Sequence, residues 1–177
     1  MKGVVFVLLI LNVYCGPNEA DVSEADLTQI QNEYMERSNY YREKHQVPPL
    51  CICPNETIKA YRYARHLVKI GKLEHSPDGG FGYSENLAMS MGGLESGNFS
   101  VDRYYSQSEH YNYYGAEPSD MDNKKVYEQF TALVWKSSRK IGFAWASDRF
   151  TYYYVTQLYP AGNSLGYFKI NVLPPHK

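Results

Sequence analysis

Cysteine is scarce: the 177-residue chain has 3, at positions 15, 51 and 53. A bridge between Cys51 and Cys53 would close a tiny, strained ring, which excludes a disulfide-stapled scaffold. Two thiols are expected instead, at least one buried as a small hydrophobe, with an intermolecular bridge as the alternative. Charge of one sign is equally lacking. Lys+Arg 18 against Asp+Glu 19 leave a formal −1, without basic blocks, so no electrostatic footprint for nucleic acid is seen. Long apolar runs are missing too. Val4 to Val13, after Lys2 and before the polar Asn18–Asp21, is too short to span a bilayer but has the length of a signal-peptide core.

Cleavage after Cys15 follows, because a cut after Gly16 would place Pro17 just past the scissile bond. The expectation is a leader over 1–15, a mature start at Gly16, and a secreted, extracellular protein. Linkers and internal repeats are absent as well, so one domain over about 25–175 is expected, long enough to bury a core. What is abundant is tyrosine, 18 residues of amphipathic aromatic surface. On an exported chain, Asn55-Glu56-Thr57 and Asn98-Phe99-Ser100 make Asn55 and Asn98 glycosylation candidates.

Helical spacing begins at the cap signal Ser23-x-x-Asp26 and continues through Leu27, Ile30, Tyr34, Ser38 and Tyr41, stopping before Pro48-Pro49. A second helix is expected from about Asn55 to Ile70, with Ile58, Tyr61, Ala64 and Val68 on one face and Gly71 as its stop. Ser84 to Met89 reads as a buried strand. Ser100 is expected to cap a third helix through Tyr105 towards Tyr111, and a polar loop, 115–124, leads to a fourth helix ending near Trp135. Ile141, Phe143 and Trp145 alternate, as do Phe150, Tyr152, Tyr154, Thr156 and Leu158, predicting a hairpin around Ser147-Asp148. Helices followed by strands argue an α+β fold with a mainly antiparallel sheet.

Five stretches carry more than periodicity: Asn39-Tyr40-Tyr41-Arg42, Leu73-Glu74-His75-Ser76, Ser84-Glu85-Asn86-Leu87-Ala88, Gln129 through Lys136 (QFTALVWK), and Tyr159-Pro160-Ala161-Gly162-Asn163. In order and spacing they resemble the CAP superfamily of cysteine-rich secretory, antigen 5 and pathogenesis-related 1 proteins. The tail Asn171-Val172-Leu173-Pro174-Pro175 is most similar to the disulfide-poor Golgi-associated branch, and secreted venom-allergen-like proteins are the other neighbours. The resemblance implies a three-layer α-β-α sandwich.

It also implies a cleft of two His and two Glu, which binds a divalent metal in some members. His75 and Glu85 match the first pair; Gln107 and Gln129 stand where the second Glu and second His belong. An amide oxygen is a poor substitute for imidazole on zinc. A lost carboxylate about 5 Å from a divalent ion removes several kcal/mol of attraction. No metal and no cofactor are therefore expected. The family's lipid binding places Tyr104, Tyr105, Tyr111 and Tyr113 along a possible groove, although Asp120, Asp122, Lys124 and Lys125 make the following loop a poor sterol lid. The functional expectation is a non-catalytic binding protein, monomer or homodimer, with an unknown protein or lipid ligand and no membrane span. The alternatives are a sterol or fatty-acid carrier, or a weak hydrolase using His75 and Glu85 with Ser76 or Ser84.

Overall fold

The computed structural model describes residues 24–79, 81–119 and 125–176; the leader, the Ser23 cap and Asp120–Lys124 of the loop lie outside the described residues. Helix α1 spans Glu24–Lys44 and buries Ile30, Tyr34, Ser38 and Tyr41 of the helically spaced set; the side chain of Leu27 lies outside the described residues. Strand β1, Cys51–Ile52, leads into α2, Pro54–Ile70, whose proline occupies the first turn, where an N–H has no helical partner to lose. Strand β2 is Ser84–Met91, and α3 is Gly97–Ser106, continued by a 3-10 turn Gln107–His110. Helix α4 is Glu128–Leu133, β3 is Lys140–Ser147, β4 is Thr151–Tyr159, and α5 is Phe168–Asn171.

The strands form one sheet in the order β1-β3-β4-β2. β2, β4 and β3 pair antiparallel, while β1 joins β3 in parallel, so the sheet is mixed. Alternation along the strands divides the apolar side chains between two faces. Ala88, Phe143, Trp145 and Tyr154 join α1, α3 and α4 in the larger core. Leu87, Ala144, Tyr153 and Val155 join Ala60, Ala64 and Leu67 of α2 in the smaller one. Helices thus cover both faces, as the α-β-α reading requires.

Several local expectations are corrected. Ile58 is 41% exposed, because α2 buries Ala60, Ala64 and Leu67, and a residue two positions from Ala60 points the opposite way. Phe150 lies outside β4 and is 76% exposed, since Asp148, Arg149 and Phe150 make the turn. Neither cysteine is fully buried: Cys51 is exposed on the edge strand and Cys53 is half-buried ahead of α2. The third helix begins three residues before Ser100, which is buried inside it. Gly97 explains the early start. Its N–H donates to Glu33 Oε2 at 2.9 Å, and a Cβ there would lie 2.1 Å from the Ile30 carbonyl oxygen. The cap comes from α1, out of reach of a local sequence signal.

Gly142 sets a second close approach, between β3 and α2. A Cβ at this position would meet the Glu56 carbonyl carbon and oxygen, each at 2.3 Å, with no flexible side chain to yield. Gly142→Ala is therefore expected to lower stability by about 1–3 kcal/mol, the cost of overpacking. Urea unfolding reads this directly, and an unchanged midpoint would show that α2 lifts off the sheet at little cost.

Candidate functional site

Strand β2 carries Glu85, Asn86 and Leu87, which contact the candidate residues of both pairs. Glu85 is buried and accepts from the Ser76 N–H at 2.8 Å, while its Oε1 lies 3.2 Å from His75 Nδ1. Its other oxygen accepts from Gln157 Nε2 at 3.3 Å; Gln157 faces Glu85 in register from β4 and accepts in turn from the Tyr159 hydroxyl. One carboxylate so ties the loop after α2 to the sheet. The His75 side chain itself is 54% exposed.

The hydrogen bond to Glu85 raises the pKa of His75 above its ordinary 6.5, against the opposing effect of partial burial. A raised value means that the pair stabilises the fold below about pH 6.5, and that this contribution disappears as pH rises through the folded-state value. Exposure keeps it under about 1 kcal/mol. An NMR titration should place the His75 midpoint above that of an unstructured histidine, and Glu85→Gln should bring it back down. Equal midpoints in the two proteins would remove Glu85 as the cause.

Gln107 and Gln129 form a second closed pair. Gln107 opens the 3-10 turn, and its Oε1 accepts from the backbone N–H groups of Gln129 and Phe130 at 3.1 and 3.4 Å, in the first turn of α4. Gln107 Nε2 donates to Gln129 Oε1 at 2.7 Å, and Gln129 Nε2 donates to the Leu87 carbonyl of β2 at 2.7 Å. Asn86 completes the arrangement by donating to the Gln129 carbonyl at 2.8 Å. Each amide is oriented by its neighbours, with donors meeting acceptors throughout.

This donor set does not fit the metal that the family pattern provides for. His75, with Nδ1 on Glu85, supplies one imidazole through Nε2, but both amide oxygens face N–H donors, so the second imidazole and second carboxylate have no equivalent. Among the described residues no three His, Cys, Asp or Glu side chains gather as a ligand group. The two serines of the hydrolytic alternative have other partners. Ser76 Oγ pairs with the Tyr83 hydroxyl at 2.8 Å, and Ser84 Oγ accepts from the Gly162 N–H at 2.5 Å.

The four tyrosines occupy different positions. Tyr104 is fully buried and belongs to the core, not to a groove wall. Tyr105 stacks on Tyr41 at 3.6 Å between ring centroids, and its hydroxyl meets His45 Nε2 at 3.1 Å. Burial lowers the pKa of His45, favouring a neutral ring that donates from Nδ1 to the Leu173 carbonyl at 2.6 Å. Tyr111 and Tyr113 are half-buried, edge to face with each other at 5.0 Å and packed around Phe130. Asn55 and Asn98 are exposed, but in the first turns of α2 and α3.

A mixed sheet between two helical layers defines an α-β-α sandwich, with the His75–Glu85 and Gln107–Gln129 pairs both tied to β2. The sequence profile of the cysteine-rich secretory protein family, CAP, matches residues 35–159, and the chain belongs to that family. Human Golgi-associated plant pathogenesis-related protein 1 is 38% identical over 154 residues, covering 84% of this chain and 96% of that protein. Secreted protein RBT4 of Candida albicans is 31% identical over 168 residues, 88% of this chain but 44% of that one. Among solved structures, NaASP2, crystallised with Zn2+, superposes with a TM-score of 0.66 at 18% identity, over 92% of each chain; this likeness concerns the fold alone.

Proposed function

We propose that residues 25–175 form a single CAP domain that acts by binding a protein or lipid partner, without catalysis and without a resident metal. The Gln107–Gln129 pair carries this reading. At the two positions where the family pattern supplies a second carboxylate and a second imidazole, the chain has neutral amides that satisfy each other and the backbone. Such a pair shapes a surface but offers no general base, nucleophile or strong zinc ligand. Export through a leader over 1–15 rests on the apolar run after Lys2, and a relative named as a secreted protein is in keeping with it.

The test compares wild type with His75→Ala on ester and peptide substrates, and analyses the secreted protein by mass spectrometry for its N-terminus and retained ligand. Equal background rates and a start near Gly16 are expected. Turnover that disappears with His75 would move the assignment to a hydrolase. Met1 on a cytosolic product would remove the export step.

A further inference from the structure

The outer face of α2 concentrates positive charge in a chain whose formal net charge is −1. Along this helix Lys59, Arg62, Arg65 and Lys69 accompany one carboxylate, Glu56, which is paired with Lys59 at 2.8 Å. Arg62, Arg65, His66 and Lys69 follow one another at helical spacing and line an open recess of about 260 Å³. Around Arg62, His66 and Lys69, the positions three and four residues away hold no Asp or Glu. The next cation, Lys72, is already paired with Glu74.

Like charges at these spacings oppose helix formation. Attraction to the negative end of the helix accounts for Lys69 in the last turn, but that effect fades within one turn and does not reach Arg62. Two of the lining side chains are also held in place. The Arg65 guanidinium sits over the Tyr61 ring at 6.0 Å, and the His66 ring stacks on Tyr63 at 5.5 Å. Tyr63 is itself anchored through its hydroxyl to the Glu74 carbonyl at 2.7 Å.

We propose that this stripe is a binding site for a linear polyanion bearing sulfate esters, a sulfated glycan segment. The guanidinium forks match tetrahedral oxyanions with two hydrogen bonds each. From Arg62 to Lys69 the stripe runs about 10 Å along the helix, enough for successive anionic groups on an extended chain. A membrane surface fits less well, because an interfacial helix needs its apolar face for the acyl layer, and α2 turns Ala60, Ala64 and Leu67 into the sheet. Single-stranded nucleic acid needs open aromatic faces for stacking, whereas Arg65 and His66 lie against the Tyr61 and Tyr63 rings. This proposal goes beyond the binding reading above and is independent of the Gln107–Gln129 cleft.

The test titrates a heparin oligosaccharide into the purified protein, read by calorimetry at low and moderate salt. Backbone-amide NMR on the wild type should place the shifted signals on α2 without any variant. The change Arg62→Gln with Lys69→Gln, both at exposed positions, should weaken binding about tenfold and flatten its salt dependence. The control Lys136→Gln with Lys169→Gln removes the same charge at exposed positions outside α2 and should leave affinity unchanged. The proposal is overturned if the wild type binds no oligosaccharide at low salt, or if the control loses as much affinity. Shifts that map away from α2 overturn it as well, as does equal or tighter binding to oligothymidylate or phosphatidylserine vesicles.

Discussion

Replacing Arg42 by Met should destabilise the protein by about 4 kcal/mol or more, the upper range for a broken buried network. Arg42 is fully buried and donates to four carbonyls: Nε to Pro48 at 2.8 Å, Nη1 to Leu133 at 2.8 Å and Trp135 at 3.0 Å, and Nη2 to Ser138 at 2.8 Å. Burial, with the nearby charge of Arg139 adding to it, lowers its pKa to about 9, so the side chain is still a cation at neutral pH. Among the described residues, carbonyl dipoles are what offset that charge. Methionine fills much of the volume but withdraws the donor from four carbonyls in two separate segments; those of Trp135 and Ser138 keep the Ser138 N–H and Arg139 Nη1, while those of Pro48 and Leu133 are left without a donor, each costing about 1–3 kcal/mol where water does not reach. Lysine should recover part of the loss, since an ammonium has three donors and no planar fork. Denaturant unfolding measures both variants, and a loss below about 1 kcal/mol for Arg42→Met would show that water replaces the guanidinium.

Arg42 also explains why the quoted motifs stand out in the sequence. Several of their residues are clamps between segments distant in the chain. Asn39 holds Leu50 at both its N–H and its carbonyl, at 2.8 and 3.1 Å. Asn163 donates to the Glu128 carbonyl at 2.9 Å and accepts from Thr131 Oγ1 at 2.7 Å, fixing the chain after β4 to α4. Asn86 does the same between β2 and Gln129. A polar residue with a non-local backbone partner leaves no trace in hydrophobic periodicity, only in the pattern of a family, so these residues were legible through resemblance and not through spacing.

The sheet and the long helices were legible because each carries its own signal. Strand alternation and the spaced apolar face of α1 follow from side-chain geometry within one element. Elements stabilised from outside were not. The two-residue β1 exists only by pairing with β3, and α5 depends on Glu117, whose carboxylate accepts from the Phe168 and Lys169 N–H groups at 3.1 and 2.7 Å. The α2 stripe was hidden differently: its cations are spread three and four residues apart, so no basic block marks them until the helix aligns them. At the cleft, the four positions could be assigned, but their division into a His75–Glu85 pair and a Gln107–Gln129 pair required coordinates.

That division gives the cleft a specific response to restoring the family residues. The double change Gln107→Glu with Gln129→His should create zinc affinity that the wild type lacks, whereas Gln107→Glu alone should mainly destabilise. In the single variant, the carboxylate introduced at position 107 keeps one oxygen on the N–H groups at the start of α4 but turns the other towards Gln129 Oε1, acceptor against acceptor. Gln129 can then answer only by reversing its amide and giving up the bond from Nε2 to the Leu87 carbonyl. With histidine at 129, a ring N–H can donate to the new carboxylate, and the remaining nitrogen becomes available as a ligand oriented from behind. The two changes should therefore couple by about 1 kcal/mol or more in stability. Their zinc affinity should reach the micromolar range, about 8 kcal/mol of binding free energy, in calorimetry at pH 7.5. Release of protons on binding would mark the imidazoles as ligands, since both must be neutral to coordinate, and His75 has a raised pKa. One-site micromolar binding by the wild type would show that the amide pair opens to admit a metal. Equally weak binding in both proteins would show that β2 and α4 hold the two pairs too far apart for one ion.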